Sequence, residues 1–325
     1  MSNYSISNAI SSLSDGSSIV IGYFRGSIDF GVTTLTSAGY SDIFVAKFDS
    51  EGNLLWAKRA GNSGNCGGEG VTTLSDGSSI ITGSFRNTIT FGSTTLTSTG
   101  SSDAFVAKLD TNGDFLWATK AGSTNGDVGV AIDNQSDGSS IVTGWFYGSA
   151  TFGSTTLSSE GWDDAFIAKL DANGNYLWAQ EAGSTSSDLG YDVTTLEDGS
   201  SMVVGRFEGS ANFGGTTLTS SGSWETFIAK LDSNGNYLWA KRAGSTSIDE
   251  GKGITSFSDG SSIITGYFAG SAEFGSTTLT SAGDKDIFVA KLDSSGNFLW
   301  ATKAGGASGD NGNAINALSD GNSII

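Results

Sequence analysis

The chain has 325 residues, with 48 glycines, no proline, no histidine and one cysteine. Its 34 acidic and 16 basic residues give a formal net charge of −18, which opposes binding to nucleic acid or to an anionic membrane surface, because both need clustered Lys and Arg. No apolar run reaches the length of a membrane span and no signal peptide is visible in the first ten residues, so we predict no membrane insertion.

A 61-residue period organises the sequence. The stretch Gly-Asn-Leu-Leu-Trp-Ala at 52–57 returns in similar form four times, and its tryptophans are Trp56, Trp117, Trp178, Trp239 and Trp300. A fixed period of this size predicts a repeat architecture in which each copy is one supersecondary unit. We predict a single domain over 1–325, with repeats at about 1–65, 66–126, 127–187, 188–248 and 249–309 and a partial sixth at 310–325.

The second repeat illustrates the predicted strands A and B. Strand A ends near Leu74, and strand B covers 79–85. An Asp-Gly pair between two apolar runs indicates a hairpin, and its aspartates recur at Asp15, Asp76, Asp137, Asp198, Asp259 and Asp320. One glycine of strand B also recurs, which predicts close approach of a neighbouring backbone, at Gly22, Gly83, Gly144, Gly205 and Gly266.

A connection and two further strands complete the repeat. The pattern Phe-Gly-x-Thr-Thr-Leu predicts a small ribbon that packs Phe91 against Leu96. Strand C is predicted at 103–110 and strand D at 115–118, with an Asn-Gly turn between them. We therefore predict an all-β fold, a β-propeller with five complete four-stranded antiparallel blades and a partial sixth. A β-solenoid is the alternative, but Asp-Gly and Asn-Gly hairpins require antiparallel neighbours.

The stretch Ala-Lys-Leu-Asp-Thr-Asn-Gly-Asp-Phe-Leu-Trp-Ala at 107–118 resembles the bacterial β-propeller repeat family called SBBP, and the resemblance covers nearly the whole chain. Its core is also similar to the tryptophan-docking motif of quinoprotein propellers, although the aspartate here falls one place later. The resemblance implies that the five repeated tryptophans stack against adjacent blades and that the protein is extracellular or on a bacterial cell surface. We also expect these tryptophans to be buried between blades, because each follows a strand C to D hairpin and recurs with the repeat. The resemblance gives no reason to expect a quinone, and we predict no cofactor.

Catalytic chemistry is restricted by the missing histidine. Ser-His-Asp and Cys-His arrangements and the usual zinc sites cannot be built without it, so we predict no enzyme and no catalytic residue. A glycoside hydrolase with paired carboxylates is the enzymatic alternative. It would draw on acids that do not repeat, namely Asp133, Asp192, Glu69, Glu160, Glu208 and Glu273.

Metal binding and disulfide chemistry are also disfavoured. Asp110, Asn112 and Asp114 resemble the start of a calcium loop, but the later bidentate glutamate is missing and an Asn-Gly turn explains the same residues. We therefore predict no metal. The single Cys66 excludes an intrachain disulfide, and we predict that it is an incidental loop residue.

The connections that differ most between repeats contain the candidate ligand-binding residues Tyr40, Trp162, Trp224 and Lys285. Aromatic side chains on loops of a rigid scaffold are typical of ligand or glycan contacts. The alternative is that these rings pack over their own loops. We predict a non-catalytic binding or spacer module whose partner is a protein or a glycan. The alternative function is a glycan-binding lectin that uses this variable loop face.

The end of the chain repeats its beginning. Five repeats of 61 residues account for 305 residues, and the last 20 match the first 20, so that Ile315 corresponds to Ile10 and Asp320 to Asp15. The sequence then stops within strand B, where unpaired backbone groups would remain. We expect a piece of a longer propeller. Its last 20 residues, which we call the stub, should pack beside strand D of residues 297–304 as the start of a sixth blade.

Overall fold

The computed structural model describes residues 3–318 and 322–325. Within these ranges the secondary structure is β only, and no helix is present that would span a membrane. The first repeat contains β1 (Tyr4–Ser12), β2 (Ser18–Arg25), β3 (Ser27–Asp29), β4 (Thr34–Thr36), β5 (Asp42–Phe48) and β6 (Leu54–Ala60). The second contains β7 (Cys66–Thr73), β8 (Ser79–Phe85), β9 (Thr88–Phe91), β10 (Thr94–Thr97), β11 (Asp103–Leu109) and β12 (Phe115–Ala121).

The remaining repeats follow the same plan. The third has four strands, β13 (Asp127–Asn134), β14 (Ser140–Phe152), β15 (Thr155–Leu170) and β16 (Tyr176–Ala182), of which β14 and β15 are longer than their counterparts. The fourth contains β17 (Leu189–Thr195), β18 (Ser201–Phe207), β19 (Ser210–Phe213), β20 (Thr216–Thr219), β21 (Glu225–Leu231) and β22 (Tyr237–Ala243). The last strands are β23 (Asp249–Ser256), β24 (Ser262–Phe268), β25 (Ser271–Phe274), β26 (Thr277–Thr280), β27 (Asp286–Leu292), β28 (Phe298–Ala304), β29 (Asn316–Ala317) and β30 (Ser323–Ile324).

Each complete repeat forms one four-stranded sheet in the chain order A, B, C, D. The sheets are β1-β2-β5-β6, β7-β8-β11-β12, β13-β14-β15-β16, β17-β18-β21-β22 and β23-β24-β27-β28. Four repeats add a two-stranded ribbon between strands B and C, whereas β14 and β15 of the third repeat extend through this connection. The all-β class, the antiparallel four-stranded units and the ribbons are therefore as predicted. In the second ribbon, Phe91 pairs with Thr94 and Leu96 pairs with Ile89.

The turn between strands A and B is a three-residue loop. In the second repeat, the amide of Gly77 donates to the carbonyl of Leu74, the amide of Leu74 donates to the carbonyl of Ser78, and Gly77 has a φ of 83°. The Asp76 carboxylate accepts hydrogen bonds from the amide and the hydroxyl of Ser78. The aspartate thus fixes the turn through its side chain, and the glycine supplies the left-handed residue that such a loop requires.

The repeated glycine of strand B lies opposite a β-bulge in strand A. The register of β7 against β8 shifts between Gly68 and Gly70, and a Cβ atom at Gly83 would lie 2.0 Å from the carbonyl oxygen of Gly67. The same approach occurs at Gly22, Gly205 and Gly266. Only glycine fits this position, because the bulge brings the strand A backbone against strand B.

The chain divides into two compact units, which we call unit 1 and unit 2. Unit 1 comprises residues 1–142, 146–157 and 168–178, and unit 2 comprises 143–145, 158–167 and 179–325. Within unit 1, the first two sheets stack face to face, with Ile21 and Ile43 packed in one cluster with Ile81 and Phe105. Within unit 2, the last two sheets stack in the same way through Val204, Ile228, Ile264 and Phe288. Stacked four-stranded sheets are typical of propellers; the number of blades and the single domain stay predictions.

The stub after the fifth repeat packs on the face of the fifth sheet. Ile315 lies in a cluster with Ile263, Val289 and Phe257, and Gly253 lies close to the backbone of Ala314. The expected position beside strand D is therefore wrong, because successive sheets stack face to face rather than edge to edge. β29 and β30 form their own two-stranded sheet; the predicted Asp320-Gly321 turn lies outside the described residues.

Candidate functional site

The bulge of strand A carries a different residue in each of four repeats, the first, second, fourth and fifth. The register shifts place Asn8, Glu69, Tyr191 and Lys252 at the bulge of β1, β7, β17 and β23. A bulge inserts an extra residue whose side chain leaves the regular alternation of the strand. These side chains and their neighbours on strand B and on the end of the B to C connection form one polar and aromatic cluster in each unit.

In unit 1 this arrangement forms a cleft of about 300 Å³, which we call the tyrosine cleft. It is lined by Tyr4, Tyr23, Tyr40, Asn65, Cys66, Gly67, Glu69, Ser84, Arg86 and Ser102. Tyr4 and Tyr23 meet edge to face with 6.1 Å between ring centroids. The Arg25 guanidinium lies 4.1 Å from the centroid of the Tyr40 ring, a cation–π distance. Three aromatic rings thus surround hydroxyl, amide, carboxylate and guanidinium groups.

Two ionisable groups of the tyrosine cleft have strongly shifted pKa values. Burial raises the pKa of Glu69 to about 7, although the Asn8 side chain donates a 2.8 Å hydrogen bond to its carboxylate. Burial also raises the pKa of the Cys66 thiol to about 12. The prediction of a loop cysteine is wrong, because Cys66 begins β7 and is buried. Its thiol is therefore protonated at neutral pH and a poor nucleophile.

The raised pKa of Glu69 predicts a specific pH dependence of stability. Between pH 4.5 and 7 the folded protein holds this proton more tightly than the unfolded chain, so the Glu69 contribution to the free energy of unfolding falls as pH rises. Glu69→Gln removes this contribution. We therefore expect the free energy of unfolding of Glu69→Gln at pH 8, measured with denaturant, to exceed that of the wild type by roughly 1–3 kcal/mol. At pH 4 the two proteins should be nearly equal. A difference that does not depend on pH, or one seen equally in Glu51→Gln on the exposed surface, contradicts this assignment.

In unit 2 the equivalent positions form a group that we call the cation–aromatic cluster, made of Tyr191, Arg206, Trp224, Glu250, Lys252, Tyr267 and Lys285. The buried Glu250 carboxylate joins Arg206 at 2.7 Å and Lys252 at 2.5 Å. The cluster is therefore organised around one carboxylate with two bound cations.

The aromatic rings of this cluster face its cations. The Arg206 guanidinium lies 3.6 Å from the centroid of the Trp224 ring, the Lys252 ammonium lies 3.3 Å from that of Tyr191, and the Lys285 ammonium lies 4.2 Å from that of Tyr267. Burial raises the pKa of Glu250, but the hydrogen bond and charge of Lys252, with the hydrogen bond of Arg206, outweigh burial and lower it to about 2. Glu250 is therefore ionised at neutral pH.

The four predicted ligand residues have different surroundings. Tyr40 lies in the tyrosine cleft and is 54% exposed, and Trp162 in unit 2 is 67% exposed. Trp224 and Lys285 belong to the cation–aromatic cluster, where each contacts a residue of strand B. Glu69 and Cys66 were considered in the sequence for other roles. The residues on strands A and B that the sequence analysis missed are Tyr4, Tyr23, Tyr191, Arg206, Glu250, Lys252 and Tyr267. Comparison of positions 61 residues apart reveals them, because Tyr23, Ser84, Arg206 and Tyr267 occupy one such series.

Three of the repeated tryptophans, Trp56, Trp117 and Trp239, contact the repeat that follows. The indole Nε1 of Trp56 donates to the Thr111 carbonyl at 3.0 Å, and that of Trp117 donates to the Ala172 carbonyl at 3.1 Å. Their rings lie against Gly113 and Gly174, and the Trp239 ring lies against Gly296. The side chains of Trp56, Trp117, Trp178 and Trp239 are half-buried, so the expectation that they are buried is wrong. The indole hydrogen bonds of Trp56 and Trp117 lie at the exposed surface. Trp300 is 41% exposed.

The calcium candidates serve the turn between strands C and D. The Asp110 carboxylate accepts hydrogen bonds from the amides of Asn112 and Asp114, and the Asp114 carboxylate lies 2.7 Å from the Lys58 ammonium. In the part of the chain that the structure describes, no group of three His, Cys, Asp or Glu has the geometry of a metal site. Among the acids considered for a hydrolase, Asp192 accepts a hydrogen bond from the amide of Ile254, and Glu160 lines a cavity with Asp164 and Glu181.

Comparison with known proteins gives distant relatives. No family model matches the chain, so the SBBP assignment stays a prediction. The chain is similar to an uncharacterised WD repeat-containing protein, L264, of Acanthamoeba polyphaga mimivirus, with 25% identity over 240 residues, and to the regulatory protein FlaEY of Caulobacter vibrioides, with 29% identity over 208 residues. Each match includes 61% of this chain but only 17% and 21% of the relatives.

Two solved structures are also similar along most of the chain. A protein of unknown function from Bacteroides caccae has a TM-score of 0.48 and 10% identity, and covers 92% of this chain and 82% of its own. A protein of unknown function from Dyadobacter fermentans has a TM-score of 0.46 and 9% identity, and covers 92% and 94%. The chain is thus a repeat-rich all-β protein whose relatives include a WD repeat-containing protein.

Proposed function

We propose that this chain is a non-catalytic binding scaffold, part of a bacterial protein that is secreted or held on the cell surface. The observation that carries the proposal is the separation of roles within the repeat. Positions that recur form turns, sheet cores and contacts between sheets, whereas the bulge and its neighbours vary and converge on the tyrosine cleft and the cation–aromatic cluster. Variable side chains on a constant scaffold are typical of binding proteins. The location rests on the resemblance to SBBP repeats.

Carbohydrate binding is the second candidate function, and the tyrosine cleft favours it. Its volume of about 300 Å³ lies at the lower end of the range for ligand pockets, roughly 300–1,000 Å³. Aromatic faces pack against the apolar faces of sugar rings, and Glu69, Arg86 and Asn65 offer acceptors and donors to sugar hydroxyls. A cleft of this size accommodates a monosaccharide or the end of a glycan chain.

The hydrolase alternative is weaker on the grounds of space. The cavity that collects Glu160, Asp164 and Glu181 has a volume of about 150 Å³, below the roughly 300 Å³ of the smallest typical ligand pockets. A sugar flanked by two carboxyl groups, as glycoside hydrolysis requires, does not fit in it. The protonated Cys66 thiol and the absence of histidine disfavour nucleophilic catalysis.

A carbohydrate array tests these proposals together. We expect the full chain to be retained on a subset of glycans, and the variant with Tyr23→Ala and Tyr40→Ala to lose at least tenfold of that retention, because the cleft loses two of its three rings. Tyr147→Ala, an exposed tyrosine outside the cleft, is the control and should bind like the wild type. Equal retention of the cleft variant, or no retained glycan, contradicts the lectin candidate. Release of reducing ends from a bound glycan contradicts the non-catalytic role.

A further inference from the structure

A buried carboxylate at the start of strand C pairs with a cation on strand D in four of the five repeats. Lys120 lies 2.5 Å from Asp103, Arg242 lies 2.6 Å from Glu225, and Lys303 lies 2.8 Å from Asp286. Arg59 pairs with Asp42 in the same way. The side chains of all four acids are fully buried. Since an unpaired buried charge is costly, the cation on strand D is part of the repeat design.

The third repeat lacks this cation. Its buried carboxylate is Asp164, with 1% exposure, and the position on strand D is occupied by Glu181. One Asp164 oxygen, Oδ2, accepts a hydrogen bond from the amide of Glu160. The other, Oδ1, is buried without a hydrogen-bond partner within 3–318 and 322–325, as Oδ1 of Asp42 and Asp286 also is in repeats that keep the cation, so the difference between the repeats lies in the cation alone. The repeat therefore keeps the buried acid and replaces its cationic partner by a second acid.

A cavity of about 150 Å³ adjoins Asp164. Among the described residues no Lys or Arg lines it; its walls are Glu160, Asp164, Gln180, Glu181, Gly183, Asn212, Gly214 and Tyr237. The Tyr237 hydroxyl donates a 2.9 Å hydrogen bond to the carbonyl of Glu181, so its proton is not available to a ligand. At roughly 30 Å³ per water molecule, this volume holds about five non-hydrogen atoms, the size of a guanidinium or a short alkylammonium group.

The electrostatics of the cavity agree with a missing cation. Burial, with the negative charges of Asp188, Glu181 and Glu160, raises the pKa of Asp164 to about 8, although the hydrogen bond from the Glu160 amide lowers it. In the fifth repeat, by contrast, the hydrogen bond from Lys303 lowers the pKa of Asp286. The same backbone position thus holds a carboxylate that is stabilised by its partner in one repeat and destabilised by its neighbours in the other.

We propose that the Asp164 cavity binds an organic cation, the ammonium or guanidinium group of a ligand, in the place that Lys or Arg occupies in the other repeats. An organic cation is favoured over a metal ion, because a single carboxylate suffices to bind the cation in the other repeats. In addition, the three acids of the cavity do not form a metal-binding group among the residues that the structure describes. This site is separate from the tyrosine cleft and does not depend on the function proposed for it.

Agmatine, which carries one ammonium and one guanidinium group, is the probe for this site. In NMR titrations of the full chain at pH 8 and constant ionic strength, we expect saturable shifts of the Gly183 and Asn212 amides. Glu181→Arg restores the internal cation found in the first and fourth repeats and should weaken agmatine binding at least tenfold. Glu181→Gln, which removes the second acid without adding a cation, should retain binding with lower affinity.

A blocked Gly-Lys-Gly peptide, with Gly-Gln-Gly as its control, separates the possible sources of the cation. Binding of the lysine peptide indicates that the site receives a side chain of a protein, and binding of agmatine alone indicates a free amine. The proposal is overturned when neither probe gives saturable shifts, or when Glu181→Arg binds agmatine as the wild type does. Saturation by Ca²⁺ without an effect of either organic cation also overturns it, in favour of a metal site.

Discussion

Gly83→Ala is expected to destabilise the protein by about 3 kcal/mol, the upper end of the cost of overpacking a well-packed site. The new Cβ atom would lie 2.0 Å from the carbonyl oxygen of Gly67 and 2.8 Å from the Phe105 ring. Because the first of these atoms belongs to the backbone of the bulge, strand A must move to accommodate it. Denaturant unfolding of the full chain measures the change in the free energy of unfolding.

Gly67→Ala is the matched control, since it also adds one methyl group at the same bulge. There the nearest atom is the Glu69 side-chain oxygen at 2.9 Å, which can rotate away. We expect a change below about 1 kcal/mol, as for most substitutions without a core or backbone clash. Equal effects of the two substitutions are incompatible with a role of the bulge in selecting glycine.

Trp117→Ala is expected to cost about 2–3 kcal/mol, less than the roughly 3–5 kcal/mol of a fully buried aromatic, because the indole is half-buried. The substitution removes the hydrogen bond to the Ala172 carbonyl and the packing against Gly174. Trp300 provides an internal control, since it has the same neighbours on its own strand and a ring that is 41% exposed. Trp300→Ala should cost less than about 1 kcal/mol. A similar cost for both tryptophans would show that docking between repeats contributes little to stability.

The repeat period and the turn residues made most of the fold predictable. Asp-Gly and Asn-Gly pairs mark hairpins through local backbone requirements, so the antiparallel strands A to D could be located without knowledge of their packing. The bulge in strand A was not visible in the sequence, because a glycine-rich stretch such as 66–70 has no clear alternation to interrupt. Without the bulge, Glu69 and Lys252 could not be placed beside the aromatic residues of strand B.

The candidate sites were predictable only in part. Tyr40 lies on a variable connection and was predicted, whereas Tyr4 and Tyr23 lie on strands A and B and were not. The altered charge at Glu181 is visible in the sequence, because the equivalent position of every other complete repeat is Arg or Lys. Its meaning depends on Asp164, which lies 17 residues earlier and becomes its neighbour only through the pairing of strands C and D. Long-range pairing of this kind follows from the register of the sheet and not from local sequence.

The role of the variable positions is tested most directly by calorimetric titration of the best array glycan into three proteins. These are the wild type, Tyr23→Ala and Trp117→Ala, each also measured by denaturant unfolding. We expect Tyr23→Ala to bind at least tenfold more weakly with a nearly unchanged free energy of unfolding, whereas Trp117→Ala should be less stable and bind as the wild type does. Wild-type affinity in Tyr23→Ala, with the loss of binding confined to Trp117→Ala, would contradict the separation of binding and structural positions.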